Sequence, residues 1–192
     1  LNRLALLVGL GNLGERYAGT RHNAGFWFID EVAGRLGVSL AWNGRFAGWA
    51  GQCQYQGEVL RLFKPGQFMN RSGGPVAAIC RYYQIAPEEM LVAHDELSFE
   101  PGVVRLKVGG GHGGHNGLRS IIEQLGGRAF VRLRIGIGRP ERGSVSDYVL
   151  GKPDSVELEK IRGAIGKAAD WLPVMIDQGI DRAMTDLNAS TG

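Results

Sequence analysis

VGLGNLGERYAGTRHNAGF, from Val8 to Phe26, is the stretch on which the reading of this chain turns. The run Leu4-Ala5-Leu6-Leu7-Val8 leads directly into it. A short apolar run bounded by glycine reads as a buried strand, here Leu4 to Leu10. Open α/β sheets place their chemistry in the loops that follow such strands. Asn12 stands just past the strand, and His22 precedes a helical pattern from Ala24 to Leu36. A histidine with an unperturbed pKa of about 6.5 exchanges protons at neutral pH. An amide holds a carbonyl or a hydroxyl without titrating.

The same stretch spaces Gly9, Gly11 and Gly14 like a dinucleotide-binding loop. That motif needs a helix opening at its last glycine and an acidic residue about 20 positions on, after a second strand. Gly19 falls where the helix would run, and Asp30 and Glu31 lie inside the next helical pattern. The spacing speaks against a dinucleotide.

Working outward, 192 residues suit one domain, 1–192, with a real core. A hydrophobic content of 44% with 21% charged residues is that of a soluble globular chain. No apolar run approaches the ~20 residues of a membrane span, and no signal-peptide pattern opens the chain. Cys53 and Cys80 have no ligand spacing, so a reducing cytoplasm is the expected home. The net charge of +3 is unevenly spread. Between Pro101 and Arg142 eight Lys and Arg face only Glu123 and Glu141, a local excess of the kind a phosphate-binding surface requires.

The remaining pattern alternates strands and helices. Strands are expected at Phe46 to Gln56, Glu58 to Phe63, Met90 to Ala93, Pro101 to Val108 and Val131 to Ile137. Helices are expected at Val76 to Tyr83, Leu118 to Leu125, Val156 to Met175 (ended early or kinked by Pro173) and Ile180 to Leu187. Asn23 and Asn116 are placed to cap helices, Asn70 lies at a helix mouth, and residues 188–192 read as a frayed tail. The expected fold is α/β: one mixed, twisted sheet with helices on both faces. Gly109 to Gly117, GGGHGGHNG, is costly to order and reads as a gate over a cleft rather than a phosphate-binding P-loop.

Asn12, His22, Asn70, Asp95, His115 and Asn116 all lie at strand ends or helix mouths. No Gly-x-Ser-x-Gly elbow supplies a nucleophile. A histidine with an aspartate and no nucleophile points to activation of water, the aspartate fixing the imidazole tautomer. Asparagine amides would stabilise an oxyanion, so hydrolysis of an activated acyl bond fits. A metal site built from His22, His94, His112 and His115 is the competing reading, although no His-x-x-x-His or Cys pair supports it.

Five segments in order carry a resemblance: GLGNLGERYAGTRHNAGF, QFMNRSG, LVAHDEL, GGGHGGHNGLRS and RLRIGIGRP. Together they resemble the bacterial peptidyl-tRNA hydrolase family from Leu4 to about Lys152. The resemblance implies cleavage, without a metal or other cofactor, of the ester between a peptide and the terminal ribose of tRNA, which recycles the tRNA. It implies a catalytic His22 supported by Asp95, and substrate-positioning Asn12, Asn70 and Asn116. It further implies cleft-lining Tyr17, Asn23, Phe68, Met69 and His115, and a tRNA phosphate grip at Lys107 and Arg134. The expected partner is peptidyl-tRNA, bound by a cytoplasmic monomer. Leu13 stands where the family usually has proline, which should loosen the loop that aims Asn12. The alternative from a different class is an RNA-binding scaffold of the same fold without hydrolysis.

Overall fold

The computed structural model describes residues 3–190. Its first strand, β1 (Leu6–Gly9), is buried on both sides. Leu6 and Val8 face one hydrophobic cluster and Leu7 faces another, as expected of a central parallel strand with a continuous apolar run. A short helix, α1 (Glu15–Ala18), and a 3-10 turn, Arg21–Asn23, lead to α2 (Ala24–Leu36), which ends on the left-handed Gly37. Then come β2 (Ala41–Asn43), β3 (Gly48–Tyr55), β4 (Glu58–Pro65), α3 (Gly73–Tyr83) and β5 (Met90–Glu96). The second half adds β6 (Val104–Val108), α4 (Asn116–Leu125), β7 (Val131–Gly136) and α5 (Val145–Val149). It ends with α6 (Ser155–Asp170), α7 (Leu172–Asp177) and α8 (Ile180–Ser190).

The seven strands form one mixed sheet in the order β2-β3-β4-β1-β5-β7-β6. β4, β1, β5 and β7 run parallel, and antiparallel strands close both edges. One cluster packs α2, α6, α7 and α8 on one face, and the other packs α3 and α4 on the opposite face. The chain leaves β1 for β4 on one side and returns to β5 on the other. The crevice beyond the carboxyl ends of β1 and β5 is therefore the topological switch point, where open α/β sheets bind ligands.

The glycines of the first loop serve packing. A Cβ on Gly9 would lie 2.2 Å from the Gly25 carbonyl oxygen, and one on Gly25 would lie 2.3 Å from that of Ala93. These close approaches set the start of α2 against the ends of β1 and β5.

Several sequence expectations need correction. The strand β2 and the short helix α5 were not foreseen, being only three and five residues long. β5 runs on to Glu96, so Asp95 lies within the strand. Alternation along β6 would put Val108 in the core with Val104 and Leu106, but Val108 is exposed at the end of the strand. The long C-terminal helix is two helices, broken at Trp171 with Pro173 in the first turn of α7, where its missing N–H costs nothing. Residues 188–190 belong to α8; Asn188 accepts the Leu106 N–H at 2.8 Å and donates to its carbonyl at 3.2 Å. That contact covers the free edge of β6, which would otherwise invite pairing with another chain. Residues 191 and 192 of the expected frayed tail lie outside the described residues.

Candidate active site

Asn12 follows β1, and its backbone is clamped by Asn23. The Asn23 Oδ1 accepts the Asn12 N–H at 2.8 Å, and the Asn23 amide donates to the Asn12 carbonyl at 3.1 Å. The Asn12 Oδ1 accepts the Met69 N–H at 2.7 Å. That bond orients the amide and leaves both N–H groups of the Asn12 side chain to donate to a ligand oxygen. Leu13 in place of proline leaves this clamp intact. Asn23 makes no side-chain cap to α2, contrary to the sequence reading: both its polar atoms are spent on Asn12, and it is buried behind the cleft.

His22 sits in the 3-10 turn, half-buried. Arg21 beside it is buried and reaches the Tyr148 carbonyl and the Glu157 carboxylate, tying this turn to α5 and α6. The His22 Nδ1 lies 2.8 Å from Oδ2 of Asp95. The other carboxylate oxygen, Oδ1, lies 2.8 Å from Nε2 of His115. One buried carboxylate thus holds two imidazoles, whose rings stand 5.2 Å apart.

Hydrogen bonding distinguishes the two rings. The His115 Nδ1 accepts the N–H groups of Gly117 at 3.2 Å and Leu118 at 3.3 Å, so it carries no proton. The ring proton is therefore on Nε2, donated to Asp95, and His115 has no nitrogen left. His115 rather than Asn116 is the N-cap of α4; Asn116 is the exposed first residue of that helix. His22 spends only Nδ1 on Asp95, which leaves Nε2 as an acceptor.

Electrostatics follow from this geometry. Burial alone would push the Asp95 pKa up, but the two histidines hold it well below the usual carboxylate range. Burial alone would push His22 down, but the charge and hydrogen bond of Asp95 outweigh it and raise the pKa above 6.5. His94, next to Asp95 and fully enclosed, is pushed down to about 4 by burial and by neighbouring His115. It stays neutral at physiological pH.

A cavity of about 640 Å³ opens over these groups. It brings together Asn12, His22, Met69, Asn70, Asp95, His115 and Asn116, with Lys107 and Arg134 on its basic side. Tyr17 and Phe68 lie outside its lining and pair edge-to-face at 6.3 Å, with Phe68 largely exposed. Arg134 is held by Glu96, Nε to Oε1 at 2.8 Å. Arg132, on the same side of β7 as Arg134, is buried and donates to the carbonyls of Gly110 and Gly111. Four glycines of this loop, Gly109, Gly110, Gly113 and Gly114, have positive φ, which accounts for their density. His94 and His112, the other two histidines of the competing metal reading, also line the cavity, whereas Arg132, Glu96 and the α5 residues Val145 and Val149 have no place in the sequence reading of the site. Only the charge excess hinted at Arg132, because its partners are backbone carbonyls with no side-chain signature.

His22, Asp95 and His115 also offer ligand atoms within 4.8 Å of one another, the donor set of a metal centre. A cation on the His115 Nε2 would require a proton on Nδ1, where it would face two backbone N–H donors. The three side chains therefore fit a hydrogen-bonded triad better than a coordination shell.

Comparisons with known proteins agree on one family. A family profile described as peptidyl-tRNA hydrolase matches residues 6–192. A protein named peptidyl-tRNA hydrolase from Acinetobacter baylyi is 48% identical over 190 residues, 98% of each chain. One from Methylococcus capsulatus is 52% identical over 184 residues, 95% of this chain and 98% of that one. The crystal structure of peptidyl-tRNA hydrolase from Acinetobacter baumannii superposes with a TM-score of 0.93 at 48% identity, covering 97% of this chain and 95% of that one.

Proposed function

This chain belongs to the peptidyl-tRNA hydrolase family, and from that premise we propose that it hydrolyses the ester between a peptide and the 3′-terminal ribose of tRNA. The observation that carries the mechanism is the shared carboxylate of Asp95, which leaves a free ring nitrogen on His22 and none on His115. Neutral His22, held in its Nδ1–H tautomer by Asp95, takes a proton from water through Nε2. The resulting hydroxide attacks the ester carbonyl. The Asn12 amide, with Oδ1 already committed to Met69, donates to the developing oxyanion. The C–O bond breaks, His22 returns the proton to the ribose oxygen, and peptide carboxylic acid and tRNA leave. Asn70 and Asn116 supply further amides at the cavity mouth, and Tyr17 and Phe68 flank the route of the peptide. Asn23 acts through Asn12 rather than by touching substrate.

Lys107 and Arg134 receive a tRNA phosphate, the Glu96 carboxylate keeping Arg134 extended in the cavity wall. The Gly109–Gly117 loop serves as a gate anchored by Arg132. The reaction proceeds without a metal, in the cytoplasm, in a monomer. None of the helices among the described residues is long and apolar enough to cross a membrane.

The test is release of labelled N-acetyl-amino acid from N-acetyl-aminoacyl-tRNA by the purified protein, with and without EDTA. Cleavage indifferent to the chelator is expected; cleavage lost with it would restore the metal reading. Binding of tRNA without cleavage would leave an RNA-binding scaffold. Lys107→Ala should weaken tRNA substrates and lower the salt dependence of binding by about one counterion, while a small ester analogue is cleaved as before. Equal losses on both substrates would refute a phosphate contact.

A further inference from the structure

A second cavity, of about 190 Å³, lies between the β3–β4 ribbon and the carboxyl half of α3. It shares no lining residue with the candidate active site. Arg61 pairs in register with Leu6 at the start of β1, whereas Asn12 follows the other end of that strand. Alternation along the ribbon sets Ala50 and Gln52 of β3 beside Arg61 of β4, and Ile79 and Tyr83 face them from α3. Phe46 and Asn43 close the remaining side.

The cavity is chemically lopsided. The Arg61 guanidinium lies 3.6 Å from the centre of the Tyr83 ring, which fixes its plane. Its Nε is buried with no hydrogen-bond partner. No Asp or Glu lines the cavity. Among the described residues the guanidinium meets no carboxylate within ion-pair distance. Beside the stacked Arg61–Tyr83 pair, Phe46, Ala50 and Ile79 supply the apolar part of the lining.

We propose that this cavity binds a small carboxylate with an apolar or aromatic body, the carboxylate on Arg61 and the body against Phe46 and Ile79. A planar guanidinium fork matches a carboxylate in two parallel hydrogen bonds. The amides of Gln52 and Asn43 lie at the same cavity for any remaining polar atom. The volume falls below the ~300–1,000 Å³ of drug-sized pockets, which suits one ring and its acid group. A bare phosphate would leave the apolar wall unused.

The test is an amide ¹H–¹⁵N NMR titration of the full chain with phenylacetate, with phenylacetamide and inorganic phosphate as parallel arms. Saturable shifts centred on Gln52, Arg61, Ile79 and Tyr83 are expected with phenylacetate, and weaker, unsaturated ones with the other two. Arg61→Gln should weaken phenylacetate at least about tenfold, as loss of a charge-assisted contact requires. Phenylacetamide needs no variant, so the charge requirement is tested even if Arg61→Gln folds poorly. Equal binding of the amide, stronger binding of phosphate, shifts elsewhere, or undiminished binding in folded Arg61→Gln would each overturn the proposal.

Discussion

Two segments meet at Asp95, and they are built in opposite ways. The segment from Asn12 to Asn23 is locked inside the fold: Asn23 clamps the Asn12 backbone, Met69 takes the Asn12 side chain, and Arg21 reaches Glu157. The segment from Gly109 to His115 is glycine-rich and held near its ends, by Arg132 on two carbonyls and by His115 on Asp95. Each delivers a histidine to the same carboxylate. The locked segment delivers one with a free nitrogen, and the glycine loop delivers one with none. Identical residue types at identical distances from one aspartate therefore have different chemistry, decided by what the far side of each ring touches.

Breaking the comparison should give unequal losses. His22→Ala should lower kcat by ~10²–10⁴ while tRNA binding persists, the usual size of a lost general base. Single-turnover hydrolysis with a separate tRNA-binding assay reads this, and near-normal turnover would end the assignment. His115→Ala keeps His22 but loses the α4 cap and the charge-assisted hydrogen bond to Asp95; the latter is worth about 1.5–3 kcal/mol of orientation, or roughly 10–150-fold in rate. A loss equal to that of His22→Ala would mean that the two rings are not functionally distinct. Arg132→Gln should act on the loop alone: roughly tenfold higher KM for tRNA substrates, kcat within a few-fold, and faster amide exchange across Gly109–Gly114. Unchanged exchange would show that the loop does not depend on Arg132.

The asymmetry was only partly legible in the sequence. The apolar run into GLGN and the strand ending in Ala93 located the carboxyl ends of β1 and β5, and hence Asn12 and Asp95. Continuous apolar runs bounded by glycine or polar residues suffice for that, because both strands are buried on both faces. Polar partnerships were not legible. Asn23 looks like an N-cap from its place before α2, but the 3-10 turn ahead of the helix turns its side chain onto Asn12. Asn116 looks like the cap of α4, yet its neighbour His115 holds that position because Asp95 fixes the ring on the other side. Residues 188–190 read as polar tail, and only the free edge of β6 gives Asn188 a partner. In each case the deciding contact lies outside the helix or strand whose local pattern was read.

If Asp95 makes His22 the base by raising its pKa against burial, titrating the His22 ring by NMR beside the pH dependence of kcat/KM will show it. A base works when neutral, so activity should fall as pH drops through the His22 midpoint. One shared midpoint above 6.5 is expected in the wild-type protein, and a His22 midpoint below 6.5 in Asp95→Asn, where burial acts without the opposing charge. A rate midpoint unrelated to His22, or a His22 pKa unmoved by Asp95→Asn, would contradict it.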